Sequence, residues 1–210
     1  MDLTSPMASD RQGASMQHDS PSVIVLAGPN GAGKSTISTR LLAGKLGVYH
    51  FVNADTIARG LSAFHFDDMA IKAGRVMLEH LKELAASRAN FAFETTLASK
   101  TFAPMISAWK ALGYRFYLFF LWIPSPEMCI GRVSERVRLG GHGIPEDTIR
   151  RRYQRGIENF FHLYMPLADS WHLFDNSNPN EPRLIAQGFD KIMLEAVPSL
   201  WMQIKARAES

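Results

Sequence analysis

Nine consecutive residues, Gly28-Pro29-Asn30-Gly31-Ala32-Gly33-Lys34-Ser35-Thr36, constrain this chain more than any other stretch. The first eight fit the pattern G-x-x-x-x-G-K-[ST] in full, and their flanks give that pattern its meaning. Upstream, Ser22 to Ala27 (SVIVLA) is a β-branched apolar run of the kind that makes a buried strand. Downstream, Ser35 to Leu42 reads as a helix. A strand feeding a glycine-rich loop and then a helix predicts a cradle for phosphate. Glycines let backbone N–H groups turn inward around an anion, and the helix adds the positive end of its dipole. Lys34 is then placed to reach β- and γ-phosphates, and the Ser35 hydroxyl to be a ligand of Mg²⁺. The expected cofactors are ATP and Mg²⁺, bound by residues Gly28 to Thr36.

The remaining chain alternates between strand and helix patterns. Gly47 to Asn53, Asn90 to Phe93, Arg115 to Ile123 and Trp171 to Phe174 read as further strands. Helices are expected over Asp67 to Ser87, Phe102 to Leu112, Glu127 to Leu139 and Pro145 to Ala168, and from Pro182 to the end with a break at Pro198. Such alternation predicts an α/β P-loop NTPase fold: a five-stranded, mostly parallel sheet with helices on both faces. With 210 residues, one domain over residues 22–210 is expected, preceded by a polar tail at 1–21 that reads as disordered. The longest apolar stretch, Tyr114 to Pro124, is too short to span a bilayer. The single Cys129 excludes an internal disulfide, and no Cys/His spacing suits a metal, so a reducing cytoplasm is the expected setting.

In a doubly wound sheet, ligands gather at the carboxyl ends of the strands. Asp55 follows the second expected strand and Glu94 the third, so both face the crevice that holds the phosphates. A carboxylate there serves as a base for a substrate hydroxyl, orients it, or joins Ser35 in holding Mg²⁺ through water. Asp55 has an alternative reading as the N-cap of a helix starting near Thr56, and Glu94 as a capping residue of its loop. Seven arginines fall between Arg132 and Arg155, against three acids, in a chain whose net charge is only +3. Arg132 and Arg136 are one helical turn apart, as are Arg151 and Arg155, and Gly140-Gly141-His142-Gly143 lies between the pairs. This predicts a helical, Arg-rich lid over the triphosphate. His142 itself reads as a turn residue. A nucleic-acid track is the competing use of these arginines, but Tyr153, Phe160 and Phe161 nearby have the spacing of a buried helix face.

Taken in order, GPNGAGKST, FVNAD, FETTLAS, RVRLGGHGIPEDTIRRRYQRGIENF and FDNS resemble the zeta-toxin family of P-loop kinases, in particular its short bacterial branch of predicted ABC-type ATPases. The resemblance runs from Ser22 to about Ser177. It implies an ATP- and Mg²⁺-dependent phosphotransferase acting on the 3′-hydroxyl of the amino sugar in UDP-N-acetylglucosamine, or, as in a related group, on a ribose hydroxyl of NAD. It further implies Lys34 and Ser35 on ATP and magnesium, Asp55 as the catalytic base, and Glu94 and Thr96 lining the acceptor site. Arg136, Arg138 and Arg152 would be the γ-phosphate arginines, and Asp175-Asn176-Ser177 would lie near the adenine. A small antitoxin protein is the partner the resemblance implies, beside a small-molecule substrate; a nucleic-acid-associated NTPase or polynucleotide kinase is the alternative reading, and no membrane association is expected.

Overall fold

The computed structural model describes residues 20–42, 50–61, 66–190 and 192–209. The expected tail therefore falls, except for Ser20 and Pro21, outside the described residues, as do residues 47–49 of the expected second strand. The described elements begin with β1 (Ser22–Ala27), α1 (Lys34–Leu42), β2 (His50–Val52) and α2 (Ala54–Leu61). They continue through α3 (Phe66–Ala86), β3 (Phe91–Thr95), α4 (Phe102–Ala111), β4 (Arg115–Trp122), α5 (Pro126–Arg138) and α6 (Glu146–Asn159). The chain closes with β5 (Ser170–Asp175), β6 (Arg183–Phe189), β7 (Ile192–Glu195) and α7 (Pro198–Ala208).

The strands form one sheet in the order β2-β3-β1-β4-β5-β6-β7. Neighbours from β2 to β5 run parallel, while β6 and β7 are antiparallel additions. The parallel core follows from the apolar character of its strands, which suits burial on both faces. Val23, Val25, Phe91, Phe93, Phe116, Leu118 and Phe120 are all buried. Phe91 meets Trp109 of α4 edge-on with centroids 5.2 Å apart, and Phe120 meets Phe160, just after α6, at 4.8 Å.

The segment after Pro182 corrects the sequence-based expectation. It contains the β6–β7 hairpin before α7 begins at Pro198, so the sheet has seven strands among the described residues rather than the expected five. The hairpin turns tightly at Asp190, which takes φ 52°, a conformation that Asp tolerates through local hydrogen bonding. The helix expected over 145–168 is also divided. Beyond Asn159 the backbone widens into a π turn over Phe160–Tyr164 and then a 3₁₀ turn over Met165–Leu167. The wider turn brings Phe160, Phe161 and Tyr164 into the core together.

Parallel register sets up the site. Val52, Phe93 and Val25 lie side by side on β2, β3 and β1, so the residues that follow these strands emerge at one sheet edge. Among the described residues, no helix is long and apolar enough to cross a membrane.

Candidate active site

The loop from Gly28 to Gly33 leaves β1 at its carboxyl end and enters α1 at Lys34. Lys34 is buried, and its Nζ donates to the carbonyls of Gly28 at 2.8 Å and Pro29 at 2.9 Å, with Glu94 Oε1 at 3.7 Å. Burial pushes the Lys34 ammonium below its ordinary pKa, and the charges of Glu94 and Asp55 oppose that shift. Both carboxylates thus act on the ammonium. Arg136 adds to the lowering, which puts it within electrostatic reach of the same group.

Asn53 organises the acidic side. Its Oδ1 accepts from the Asp55 amide at 2.7 Å and the Thr56 amide at 3.4 Å, which makes it the cap of α2. Capping is therefore the work of Asn53 rather than Asp55, and the Asp55 carboxylate is left facing the cleft. The Nδ2 of the same Asn53 donates to Glu94 Oε2 at 2.8 Å, and the Ser35 hydroxyl donates to that oxygen at 3.0 Å. One asparagine thus joins the Glu94 carboxylate to the first turn of α2, and Ser35 joins that carboxylate to α1. An Asn just beyond a strand and two residues before an Asp carries the signal of a cap, and it was the available clue.

A cleft of about 570 Å³ opens here. Asn30, Lys34, Asp55, Glu94, Thr96 and Arg152 all border it. Arg152 Nη1 lies 3.4 Å from Asn30 Oδ1, and Asp55 acts on its charge, opposing a lowering of its pKa by burial. Arg151, Arg155 and Arg75 border the same cleft. The loop carrying Thr96 is fixed from beneath. Leu97 is buried with φ 56°, its carbonyl accepts from Asn159 Nδ2 at 2.7 Å, and the Ser99 carbonyl accepts from Tyr164 at 2.6 Å.

The other expected arginines are distributed differently. Arg138 is mostly exposed and makes a two-pronged pair with Glu135 of its own helix at 2.9 and 2.7 Å, so it is not brought to the cleft. Arg136 donates to the carbonyl of His142 at 3.0 Å. Arg132 clamps the loop from behind, donating to Gly31 at 3.3 Å, Asn176 at 3.0 Å and Ser177 at 2.6 Å. The Asn176 side chain, fully buried, donates to Ala32 O at 2.6 Å and lies so near Gly33 that a Cβ there would come within 2.8 Å of it. Asn176 thus supports the phosphate loop directly. His142, which has no distinguishing pattern in the sequence, stands with Nε2 3.6 Å from Asp55 Oδ2.

The donor set near Lys34 fits a hard divalent cation. A hydroxyl and a carboxylate stand together, and no group of three or more His, Cys, Asp or Glu among the described residues forms a closed cage. Mg²⁺ characteristically takes one or two protein oxygens and completes its shell with phosphate and water.

A family model described as AAA domain (AAA_33) matches residues 23–160. An uncharacterized protein of Haemophilus influenzae is 28% identical over 130 residues, covering 62% of this chain and 91% of that protein. Among solved structures, a chain in the crystal structure of AvrRxo1-ORF1:-ORF2 with ATP matches with a TM-score of 0.73 at 17% identity, over 90% of this chain and 64% of that one. This chain therefore spans somewhat less than two thirds of the length of that match. A chain from the PezAT chromosomal toxin-antitoxin system of the human pathogen Streptococcus pneumoniae matches with a TM-score of 0.58 at 15% identity, over 94% of this chain and 88% of that one. At such identities the likeness carries the fold, a P-loop NTPase-like α/β architecture with a mostly parallel sheet.

Proposed function

The chain belongs to the AAA domain family, and on that premise we propose that it is an ATP-dependent phosphotransferase that moves a γ-phosphoryl group to a hydroxyl of a small metabolite. The observation that carries this reading is the convergence of Lys34, Asp55, Glu94, Thr96 and Arg152 on one cleft. A nucleotide-driven switch has no use for a second carboxylate across from the phosphate loop, whereas a kinase needs a base on the acceptor side.

In this reading the loop amides and Lys34 hold the triphosphate of ATP. Ser35 and Glu94 would hold Mg²⁺, which would supply neutralisation of charge on the phosphate oxygens. Asp55 accepts the proton of the acceptor hydroxyl as its oxygen attacks the γ-phosphorus and the bond to the departing ADP oxygen breaks. Arg152 stabilises the negative charge spread over the transferring group. Thr96 and Glu94 line the acceptor side. The best candidate acceptor is a sugar nucleotide of the UDP-N-acetylglucosamine type, on the motif resemblance to zeta toxins. The matched PezAT chain comes from a toxin-antitoxin system, which supports a small antitoxin as partner. Burial of Tyr153, Phe160 and Phe161 leaves these rings no face for stacking on bases, which speaks against a nucleic-acid track.

The test is incubation of the protein with γ-labelled ATP, Mg²⁺ and a panel of UDP-sugars, NAD, simple sugars and oligonucleotides. Transfer to one class of small hydroxyl compound is expected, with Asp55→Asn lowering the rate by about 10²-fold or more. Transfer at the wild-type rate by Asp55→Asn would remove the base from this scheme, and label appearing only on oligonucleotides would replace the metabolite with nucleic acid.

A further inference from the structure

We infer that His142 is a positioning residue for Asp55, and that Arg136 and the glycine pair before His142 hold the imidazole in place. This rests on the proposed role of Asp55 as acceptor-side base. The α5 helix ends at Arg138, and the chain then doubles back over its own last turn. Gly140 takes φ 87°, and the Gly141 amide donates to the Arg136 carbonyl at 2.9 Å. A Cβ on Gly141 would fall 2.7 Å from Arg136 Cγ and 2.9 Å from its carbonyl oxygen, so only glycine lets the loop lie this close. Beyond it, the Arg136 guanidinium donates to the His142 carbonyl at 3.0 Å and lies 3.5 Å from His142 Nε2. That same Nε2 faces Asp55 Oδ2 at 3.6 Å.

The arrangement is directional. Arg136 is buried deeply enough that its Nε has no hydrogen-bond partner among the described residues, a cost that fixing the loop offsets. His142 is largely enclosed, whereas the Asp55 side chain on the first turn of α2 is 42% exposed and has rotamer freedom to lose. A base must be held close to its productive geometry, and a base oriented by a third group is the common solution. With the proton on Nε2, its N–H is directed to Oδ2 and leaves Oδ1 to take the acceptor proton, while Arg136 holds the residue through the His142 carbonyl and not through Nε2. The present separation exceeds a hydrogen bond, as catalytic contacts do before a substrate seats. Arg136 then acts through His142 and the loop rather than on the γ-phosphate.

The experiment uses the full chain with His142→Phe, which keeps a ring without a donor, His142→Gln, which keeps a donor, and Gly141→Ala, which displaces the loop. Turnover is measured with the best acceptor of the panel, or as ATP hydrolysis with water in its place. His142→Phe and Gly141→Ala should each lower kcat by about 10- to 100-fold with the KM for ATP within about threefold, and His142→Gln should recover most of the loss. Adding His142→Phe to Asp55→Asn should cost nothing more. An arm independent of turnover is urea denaturation of the nucleotide-free wild type, both single variants and the Asp55→Asn/His142→Phe double variant, where the midpoint shifts should be non-additive. Wild-type kcat in His142→Phe, a KM for ATP rising in step with the lost rate, no recovery in His142→Gln, or additive midpoints would each overturn the inference. If Asp55→Asn is inactive while His142→Phe is not, only this inference fails; if Asp55→Asn is fully active, the base assignment fails and this inference with it. Should no protein turn over, the midpoints alone decide.

Discussion

Cys129 sits on α5 directly behind the phosphate loop, fully buried, and a Cβ on Gly31 would touch its carbonyl oxygen at 2.8 Å. Burial pushes its thiol from 9.0 up to about 12. Between those values the folded protein keeps a proton that the unfolded chain has lost, so stability falls as pH rises, by at most about 1.4 kcal/mol per unit from this group. Lys34, with its pKa lowered, contributes the opposite slope below 10.5, because there the unfolded chain holds the proton longer. Urea midpoints measured from about pH 8.5 to 10.5 should therefore decline less steeply in Cys129→Ala than in wild type, whatever the variant's absolute stability. Parallel slopes would contradict the burial argument. At this scale the sequence exposed residues with local signatures. Lys34 and Ser35 lie inside a fixed motif, and Asp55 and Glu94 follow strand patterns. Asn53 and His142 were not legible as site residues, because their significance depends on partners brought near by the parallel sheet and the α5–α6 turn.

At the scale of elements, α6 is the beam on which the loop after β3, the proposed acceptor side, rests. Gly156 lets this helix approach the loop after β3 until a Cβ would lie 2.6 Å from the Thr96 carbonyl oxygen. Gly156→Ala should force that loop outward at a cost of about 1–3 kcal/mol. It should weaken acceptor use while leaving the affinity for ATP near wild type, since Lys34 and the phosphate loop are held by β1, Asn176 and Arg132 instead. Calorimetry with ATP alongside acceptor kinetics separates the two effects; equal losses in both would show that the loop and the cradle move together. The parallel strands and their helices were readable because buried strands and amphipathic helices have distinct periods. The β6–β7 hairpin was not. Its strand Arg183–Phe189 alternates only weakly, and β7 presents Ile192, Met193 and Leu194 all at the exposed edge of the sheet, so neither strand shows the burial alternation that marks a strand in sequence.

For the whole molecule, the extra hairpin and α7 close the end of the sheet remote from β2. Trp201 of α7 stacks on Trp171 of β5 with centroids 5.5 Å apart and planes 12° from parallel, and meets Phe161 at 5.1 Å. Trp201→Ala should cost about 3–5 kcal/mol in urea denaturation without altering the phosphate loop, and a loss below about 1 kcal/mol would mean that α7 is not part of the cooperative core. The sheet otherwise acts as a frame that aligns the ends of β1, β2 and β3, so that the residues proposed to hold donor and acceptor share one cleft. That division of labour is tested most directly by calorimetric titration of Mg²⁺-ATP into wild type, Lys34→Ala and Asp55→Asn. The account predicts binding to wild type, weakening of about 30-fold or more in Lys34→Ala from the loss of charge-assisted contacts, and a change within about threefold in Asp55→Asn. Wild-type affinity in Lys34→Ala, or no binding to folded wild-type protein, would contradict it.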